Sequence, residues 1–543
     1  MDKRTFIALF VVVILFFVWS TYFAPKHQPA TPQTADSLAA DSIKAPTVAE
    51  EPQIALPDSL IKGADSLRTL TLANDNFTVS FSNLGASITS IKLKKYNWAD
   101  KKTNTPVDLV PQGRDLAGIS LLQHKASPPK DLKMLYWQSA QSDTAGIVFW
   151  LGEQSSPLVT KSYRLDDKYG ILMDVKVNSP DAVYGIEYDF SAGIADSEVV
   201  KPRAKDQDYK VLLFADNVPV KLTLPKIKKE AQSSPVSSFK WAALRSKYFS
   251  IAIHETGNAL TSNYHPGIAK DTGNPSLILD SRDDRPSQTW AQSFLIYAGP
   301  ADYDLMKSYE DTKLELIPDR GPGWLRWLAN AIAWLLKFLH SFIPNYGIVI
   351  IIFSFILKLI LHPLTKKSMD ANLKMQSIQP QLQEIQTKYK NDPQRMQQEI
   401  AKAYKEAGTS PMSGCLPILL QMPIFIALYN VLRYAMAMRN VSFLGLNLSE
   451  PDPWILPAIM AGFMILQSLM TRPSKEAMAK MDEKQQAMQQ SSRMMTWIMP
   501  VMLFFIFRGL PSGLVLYYTV FNMLSVAHQY YTQKRLKQKE TIS

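Results

Sequence analysis

Hydrophobic and polar positions change rhythm along the chain. Behind Lys3 and Arg4, residues 6–19 read FIALFVVVILFFVW, an almost unbroken apolar run. From about residue 60 to 315, apolar and polar residues alternate in short runs. FTVSFSNLGASITSIKL, LVTKSYRLDD, GILMDVKVNS, YGIEYDFSAG, SLILDSR and TWAQSFLIYAG are such runs, and Asn83–Gly85 marks a turn. A period of two broken by regular turn signals predicts a sandwich of antiparallel strands. After residue 320 the chain becomes much more apolar and its rhythm helical.

Residues 323–344, GWLRWLANAIAWLLKFLHSFIP, place Arg326, Asn330 and Lys337 near one helical face. That pattern predicts an amphipathic helix lying at a membrane surface. A helix buried against the strand-rich region is the alternative. Five spans follow, at about 346–361, 415–435, 454–470, 494–507 and 514–531. A span needs about 20 apolar residues. Several of these are short or contain proline, which a helix bundle tolerates. With the N-terminal run the total is six.

Between the first and second of these five, Ile378, Leu382, Ile385 and Tyr389 recur at the spacing of a coiled-coil seam. Asp392 is placed to cap a second helix, with Pro393 at its first position and Gly408 at its end. The segment 366–408 therefore predicts a helical hairpin, either packed on itself or serving as a docking arm. Residues 25–59 are rich in Pro, Ala, Ser, Thr and Asp and predict a flexible linker.

Charge orients these elements. The formal net charge is +11, but its distribution matters more. Lysine and arginine crowd 365–414, 471–493 and the C-terminal tail, whereas 436–453 and 508–513 hold only Arg439 and Arg508. Basic loops face the cytoplasm. Both termini are then cytoplasmic and the β region lies outside. The apolar N-terminal run reads as an uncleaved anchor, since TYFA is a poor cleavage site; a removed signal peptide is the other reading.

Candidate chemistry is sparse. One cysteine, Cys415, excludes an internal disulfide and a cysteine metal cluster. No phosphate-binding glycine loop, zinc-binding HExxH or GxSxG nucleophile elbow occurs. His254 and His265 stand isolated. The conspicuous residue is Lys358, inside the apolar FSFILKLILHPLT of 353–365. A charge in a span is costly, and it marks either a functional path or a side chain snorkelling to the headgroups. A secondary transporter would also place an ion there, but the spans show no internal repeat.

Three motifs add to this reading: SPMSGCLPILLQMPIFIALYNVL at 410–432, PSGLVLYYTVFN at 511–522 and HPLTKKSM at 362–369. Together they closely resemble the YidC family of membrane protein insertases, over about 345–535. The anchor and β region resemble the Gram-negative layout of that family. The resemblance implies a polytopic α-helical membrane protein of six spans in the bacterial inner membrane, carrying a large periplasmic antiparallel β-supersandwich similar to sugar-binding folds. Its parts would be an anchor at 1–24, a linker at 25–59, the β domain at 60–318, an interfacial helix at 319–344, an insertase core at 345–535 and a basic tail at 536–543.

The implied function is insertion and chaperoning of nascent membrane proteins through a hydrophilic groove, with lateral release into lipid and no catalytic residue, cofactor or metal. Implied partners are those nascent chains, the Sec translocon, the ribosome through the cytoplasmic loops and tail, and membrane lipids. Lys358 matches the groove cation, usually arginine; the exchange keeps the charge and loses the planar fork. Ser354, Gln421 and Tyr518 match polar or aromatic groove positions, and Phe425 a substrate-contacting one. The linker and the lack of a catalytic constellation predict that most of the β domain is dispensable for insertion.

Overall fold

The computed structural model describes residues 64, 66–98, 104–122, 129–142, 146–199, 202–215, 218–230, 236–237, 239–256, 261–409, 416–470 and 497–542. The expected anchor at 1–24, the linker at 25–59, Cys415 with the motif residues 410–415, and the basic loop 471–493 lie outside the described residues. The chain forms two compact units. One holds residues 56–464 and 503–543; of the other, the described residues are 465–470 and 497–502, parts of two apolar helices.

The first strands are β1 (Thr69–Ala73), β2 (Phe77–Ser82), β3 (Ser87–Asn97) and β4 (Pro106–Asp108), a four-stranded sheet in that order. A thirteen-stranded sheet follows. It is built from β5 (Gly118–Leu122), β6 (Lys130–Asp131), β7 (Gln138–Ser142), β8 (Gly146–Glu153), β9 (Ser156–Leu165) and β10 (Gly170–Phe190). It continues through β11 (Lys210–Ala215), β12 (Val218–Thr223), β13 (Val236–Ser237), β14 (Trp241–Arg245), β15 (Phe249–Glu255), β16 (Thr261–Ile268) and β17 (Pro275–Pro300). Two short helices, α1 (Pro202–Asp208) and α2 (Leu224–Glu230), interrupt it.

Alternation explains the core. In β2, Phe77, Val79 and Phe81 are fully buried; in β8, Ile147, Phe149 and Leu151 are. Residues of one parity share one face of a strand, so both sheets feed a single apolar cluster. Burying each such side chain contributes about 1.5–3 kcal/mol. The turn at Asn83–Gly85 is fixed from both sides. Asn83 accepts from the Arg68 amide and donates to the Ser66 carbonyl. Gly85 has φ of 68°, and a Cβ there would lie 2.7 Å from the Lys133 carbonyl oxygen.

Strand lengths differ from the sequence reading. GILMDVKVNS and YGIEYDFSAG fall in one 21-residue strand, β10, apart from the final Ser191–Gly193, and SLILDSR and TWAQSFLIYAG fall in the 26-residue β17. The prolines and polar residues between each pair read as turns. In the structure they lie opposite each other, at register shifts between Asn178 and Gly185 of β10. Two matched irregularities bend the pair without ending it. The long strands thereby serve two sets of neighbours: β9 and β15 at one end, β5 and β16 at the other.

After β17 come α3 (Tyr303–Lys307) and α4 (Arg326–Phe342). Leu325, Ala329, Ile332 and Leu336 recur every three or four residues, are buried, and bring α4 onto α8 (Leu416–Tyr434). The opposite face exposes Trp327, Trp334 and Phe338. The polar residues point elsewhere than a water-facing stripe requires. Asn330 accepts from Arg320, and Lys337 pairs with Asp304, both from the segment leading out of the β domain.

The remaining helices are α5 (Tyr346–Ser377), α6 (Gln379–Lys388), α7 (Pro393–Glu406), α9 (Ile455–Met470), α10 (Trp497–Phe507) and α11 (Ser512–Ile542). Among the described residues one stretch, Tyr346–Ser368 of α5, is long and apolar enough by itself to cross a membrane; α9 and α10 are apolar but shorter. α6 and α7 pack against each other, and the Asp392 carboxylate accepts from the Arg395 amide at 3.1 Å to cap α7. A second apolar core joins Val349, Ile350 and Phe353 of α5, Ala427 and Leu428 of α8, and Leu514 and Tyr517 of α11.

Candidate functional site

The helical core places its polar groups along α11. Thr519, Asn522, Ser525 and Gln529 are all buried and fall three or four residues apart, so they form one stripe. Three of them satisfy themselves on their own helix: Thr519 donates to the Val515 carbonyl, Asn522 to that of Tyr518 and Ser525 to that of Phe521. The stripe was present in the sequence TVFNMLSVAHQ but went unread, because single polar residues in an apolar run are easily taken as tolerated exceptions.

Lys358 of α5 turns to this stripe. Its Nζ donates to Ser525 Oγ at 2.6 Å and lies 4.4 Å from the Phe521 ring centroid. The Ser525 hydroxyl thus accepts from the ammonium while giving its own proton to the backbone. Lys358 is half-buried, whereas Phe355, Leu359 and Ile360 beside it are exposed. Among the described residues no carboxylate forms an ion pair with Lys358. Ser354, one turn earlier, is fully buried and closes on the Ile350 carbonyl at 2.7 Å, so its hydroxyl does not reach open space.

The other expected residues gather nearer the start of α11. Gln421 Nε2 donates to the Tyr517 hydroxyl at 2.5 Å, so the amide meets Tyr517 and not its neighbour Tyr518. Tyr518 instead joins Phe425 and Phe507, with ring centroids 6.2 and 5.1 Å away. Tyr517 and Phe521, 5.9 Å apart, connect the two groups along α11. Lys358, Gln421, Phe425 and Tyr518 therefore share one seam between α5, α8 and α11. Tyr517, Phe521, Ser525 and Phe507 belong to it and were missed. The spacing of 517, 521 and 525, four residues each time, was the available signal.

Beyond Lys358, the rings of His362 and His528 lie 4.7 Å apart. Among the described residues no group of three or more metal-ligating side chains occurs. The arrangement offers one cation, hydroxyls, an amide and aromatic faces. It can bind and orient a chain by charge, hydrogen bonding and apolar contact.

A helical membrane core with a buried polar seam, joined to a large β-rich domain, defines the class. Comparison with known proteins gives the family. The family described as 60Kd inner membrane protein matches residues 338–540, and the YidC periplasmic domain family matches 69–335. Membrane protein insertase YidC of Geobacter metallireducens is 30% identical over 560 residues, covering 99% of this chain and 100% of the relative. That of Chlorobium limicola is 30% identical over 574 residues, covering 98% of this chain and 94% of the relative. A crystal structure of active YidC insertase with the first transmembrane domain resolved is 19% identical, covers 88% of this chain and 96% of its own, and has a TM-score of 0.36. The chain belongs to the YidC family of membrane protein insertases. It is a membrane protein insertase with a periplasmic β-rich domain.

Proposed function

We propose that the seam between α5, α8 and α11 is the wall of a hydrophilic groove that receives nascent membrane proteins and releases them sideways into the bilayer. Lys358 carries this reading, because its ammonium meets a neutral hydroxyl and leaves its charge uncompensated. An uncompensated cation beside low-dielectric walls attracts acidic residues of a substrate's translocated tail more strongly than in water. Charged residues cost about 2.5–3.5 kcal/mol each at the centre of a span. A wet groove lowers that cost for the tail, while apolar segments partition into lipid. No covalent step, nucleotide or cofactor is needed, so the protein works as an insertase and chaperone and not as an enzyme.

The topology that fits is six spans in the bacterial inner membrane with both termini cytoplasmic. The β domain is a supersandwich in the periplasm, and α4 lies at the interface with Trp327, Trp334 and Phe338 toward lipid. The α6–α7 hairpin and the basic tail then face incoming chains and the ribosome, and the Sec translocon is a partner for larger substrates.

The test is a charge series at one position. Proteoliposomes carrying Lys358→Arg should insert a small single-span substrate at the parental rate. Lys358→Glu should lower insertion more than tenfold for substrates with acidic tails, a cost of the order of a reversed contact at about 1.4 kcal/mol per tenfold. Lys358→Ala should fall between, and neutral tails should be least affected. Equal insertion of acidic-tailed and neutral-tailed substrates by Lys358→Glu would leave the lysine as a headgroup anchor.

A further inference from the structure

On the topology proposed above, two cations stand in the outward connections of the helical core: Arg439 between α8 and α9, and Arg508 between α10 and α11. Positive charge is depleted on that side of a membrane, so each calls for a local reason. Arg439 has one, since its Nε donates to Glu198 Oε1 at 2.5 Å. Arg508 has none of that kind. Among the described residues its guanidinium forms no ion pair and donates no hydrogen bond.

Its contacts are aromatic. The guanidinium carbon lies 4.1 Å from the Trp454 ring centroid and 5.9 Å from those of Phe504 and Phe505. Such a contact occupies the flat side of the cation and leaves the donors of its fork available. Both connections build it. Asp452 opens α9 by accepting from the amides of Trp454, Ile455 and Leu456 at 3.1, 3.3 and 2.6 Å. The Ser512 amide donates to the Glu450 carbonyl at 2.8 Å, and Pro451 bridges Pro511, which ties the connections together. The two carboxylates of this loop are engaged elsewhere: Asp452 with those amides, Glu450 with Lys247 at 2.7 Å. Neither neutralises Arg508.

The surface beside the cation is apolar. Ile455 and Ile459, one turn apart on α9, and Phe505 on α10 are 59%, 46% and 62% exposed. In a bilayer, exposed apolar helix faces meet acyl chains, and tryptophan at their ends sits at the level of the headgroups. A charge left there without an anion is costly. The anion that a bilayer brings to that level is phosphate, which matches the guanidinium fork. The rest of the headgroup decides between lipids. Ethanolamine brings an ammonium for which this loop offers no free carboxylate. Glycerol brings hydroxyls and leaves the lipid a net negative charge, and the Trp454 indole N–H is a further donor without a partner among the described residues.

We propose that Arg508 and Trp454 form a binding site for the phosphate of an anionic phospholipid of the phosphatidylglycerol kind, whose acyl chains lie against Ile455, Ile459 and Phe505. The bound lipid holds the neighbouring ends of α9 and α10 at headgroup level. The leaflet rests on the proposed topology, whereas the site does not.

The test uses the full chain in a Cys415→Ser background, with a bimane fluorophore on Ala458→Cys, one turn after Trp454, or on Leu359→Cys of α5; both positions are exposed. The protein is placed in symmetric vesicles of phosphatidylethanolamine with phosphatidylglycerol as the minor lipid, so the readout is independent of leaflet. One lipid or the other carries bromine on its acyl chains and quenches the fluorophore at close range. At 458, brominated phosphatidylglycerol should quench as if enriched about fivefold over its share of the vesicle, the effect of one cation beside anionic lipid. At 359 it should quench in proportion to that share. Arg508→Gln should abolish the enrichment at 458, and Arg508→Lys, which keeps the charge and loses the fork, should retain less than half of it. Excess inorganic phosphate should change nothing; loss of the enrichment in its presence would make this a site for free phosphate and overturn the lipid. If neither variant accumulates, the parent decides alone, because equal quenching at 458 and 359 overturns the site. Enrichment that persists in Arg508→Gln overturns it as well. No enrichment in the parent, with lower thermal stability in Arg508→Gln, would leave the arginine as a cation at the C-terminal end of the α10 dipole.

Discussion

In the β domain, Lys210, Lys221 and Arg245 surround Asp319, and Lys133 meets Asp189 at 2.8 Å; in the helical core, Lys358 meets a serine hydroxyl and a phenyl ring. Burial penalises the Asp319 carboxylate. Around Asp319 it is outweighed by three cations, Lys221 foremost, which hold the carboxyl well below the usual range. Such charges are neutralised by their partners and have a structural part. Lys358 meets groups that do not neutralise it, unlike Arg433 and Arg439 of the same core, which pair with Asp208 and Glu198. On the groove reading proposed above, a cation with no carboxylate partner among the described residues is free to attract an anion that arrives later.

Giving Lys358 a carboxylate partner of the kind Asp319 gives Lys210 should have the largest effect. Ser525→Asp would set a carboxylate 2.6 Å or so from the ammonium, as a permanent ion pair. Insertion of acidic-tailed substrates should fall more than tenfold with protein abundance unchanged, and reconstituted insertion assays would read it. An unaltered rate would mean that the free charge is not what substrates use.

Unpairing the β domain is the reverse manipulation. Asp319→Asn leaves three cations around a neutral amide and should cost about 3–5 kcal/mol of stability at pH 7, the usual result of removing one partner of a buried pair. Because the folded pKa of Asp319 is depressed, its contribution is present above the unfolded value of about 3.9 and lost as pH falls through the folded value. Thermal unfolding of parent and variant should therefore differ most above about pH 5 and converge in strong acid. Parallel curves across the whole range would remove Asp319 from the account.

A smaller effect concerns Lys161. It is fully buried, donates to the Ala117 carbonyl, and burial pushes its pKa down to about 7. The unfolded chain then binds more protons than the folded one between that value and about 10.4, so stability should rise with pH across this window. Lys161→Met should flatten that slope, and denaturant titrations at pH 7 and 9.5 would show it.

Legibility in the sequence followed the strength of the local period. The β region and the α6–α7 segment were readable because alternation and caps such as Asp392–Pro393 are local signals. The length of β10 and β17 was not, since only the pairing partner shows that Pro180 sits at an irregularity and not at a turn. Lys358 announced itself as a lone charge in a span, but Ser525 is 167 residues away and nothing local marks it as the acceptor. The Arg433–Asp208 fork joins residues 225 positions apart, and so was invisible to any reading along the chain.

The most direct measurement asks whether the Lys358–Ser525 seam is wet. In a Cys415→Ser background, Lys358→Cys and Ser525→Cys are each treated in sealed vesicles with a membrane-impermeant thiol reagent, beside Leu359→Cys, which lies on the exposed apolar side of α5. A groove predicts rapid labelling at 358 and 525 and little at 359, with labelling slowed when an acidic-tailed substrate is arrested during insertion. Failure of both seam positions to react, or reaction at 359 alone, would contradict it.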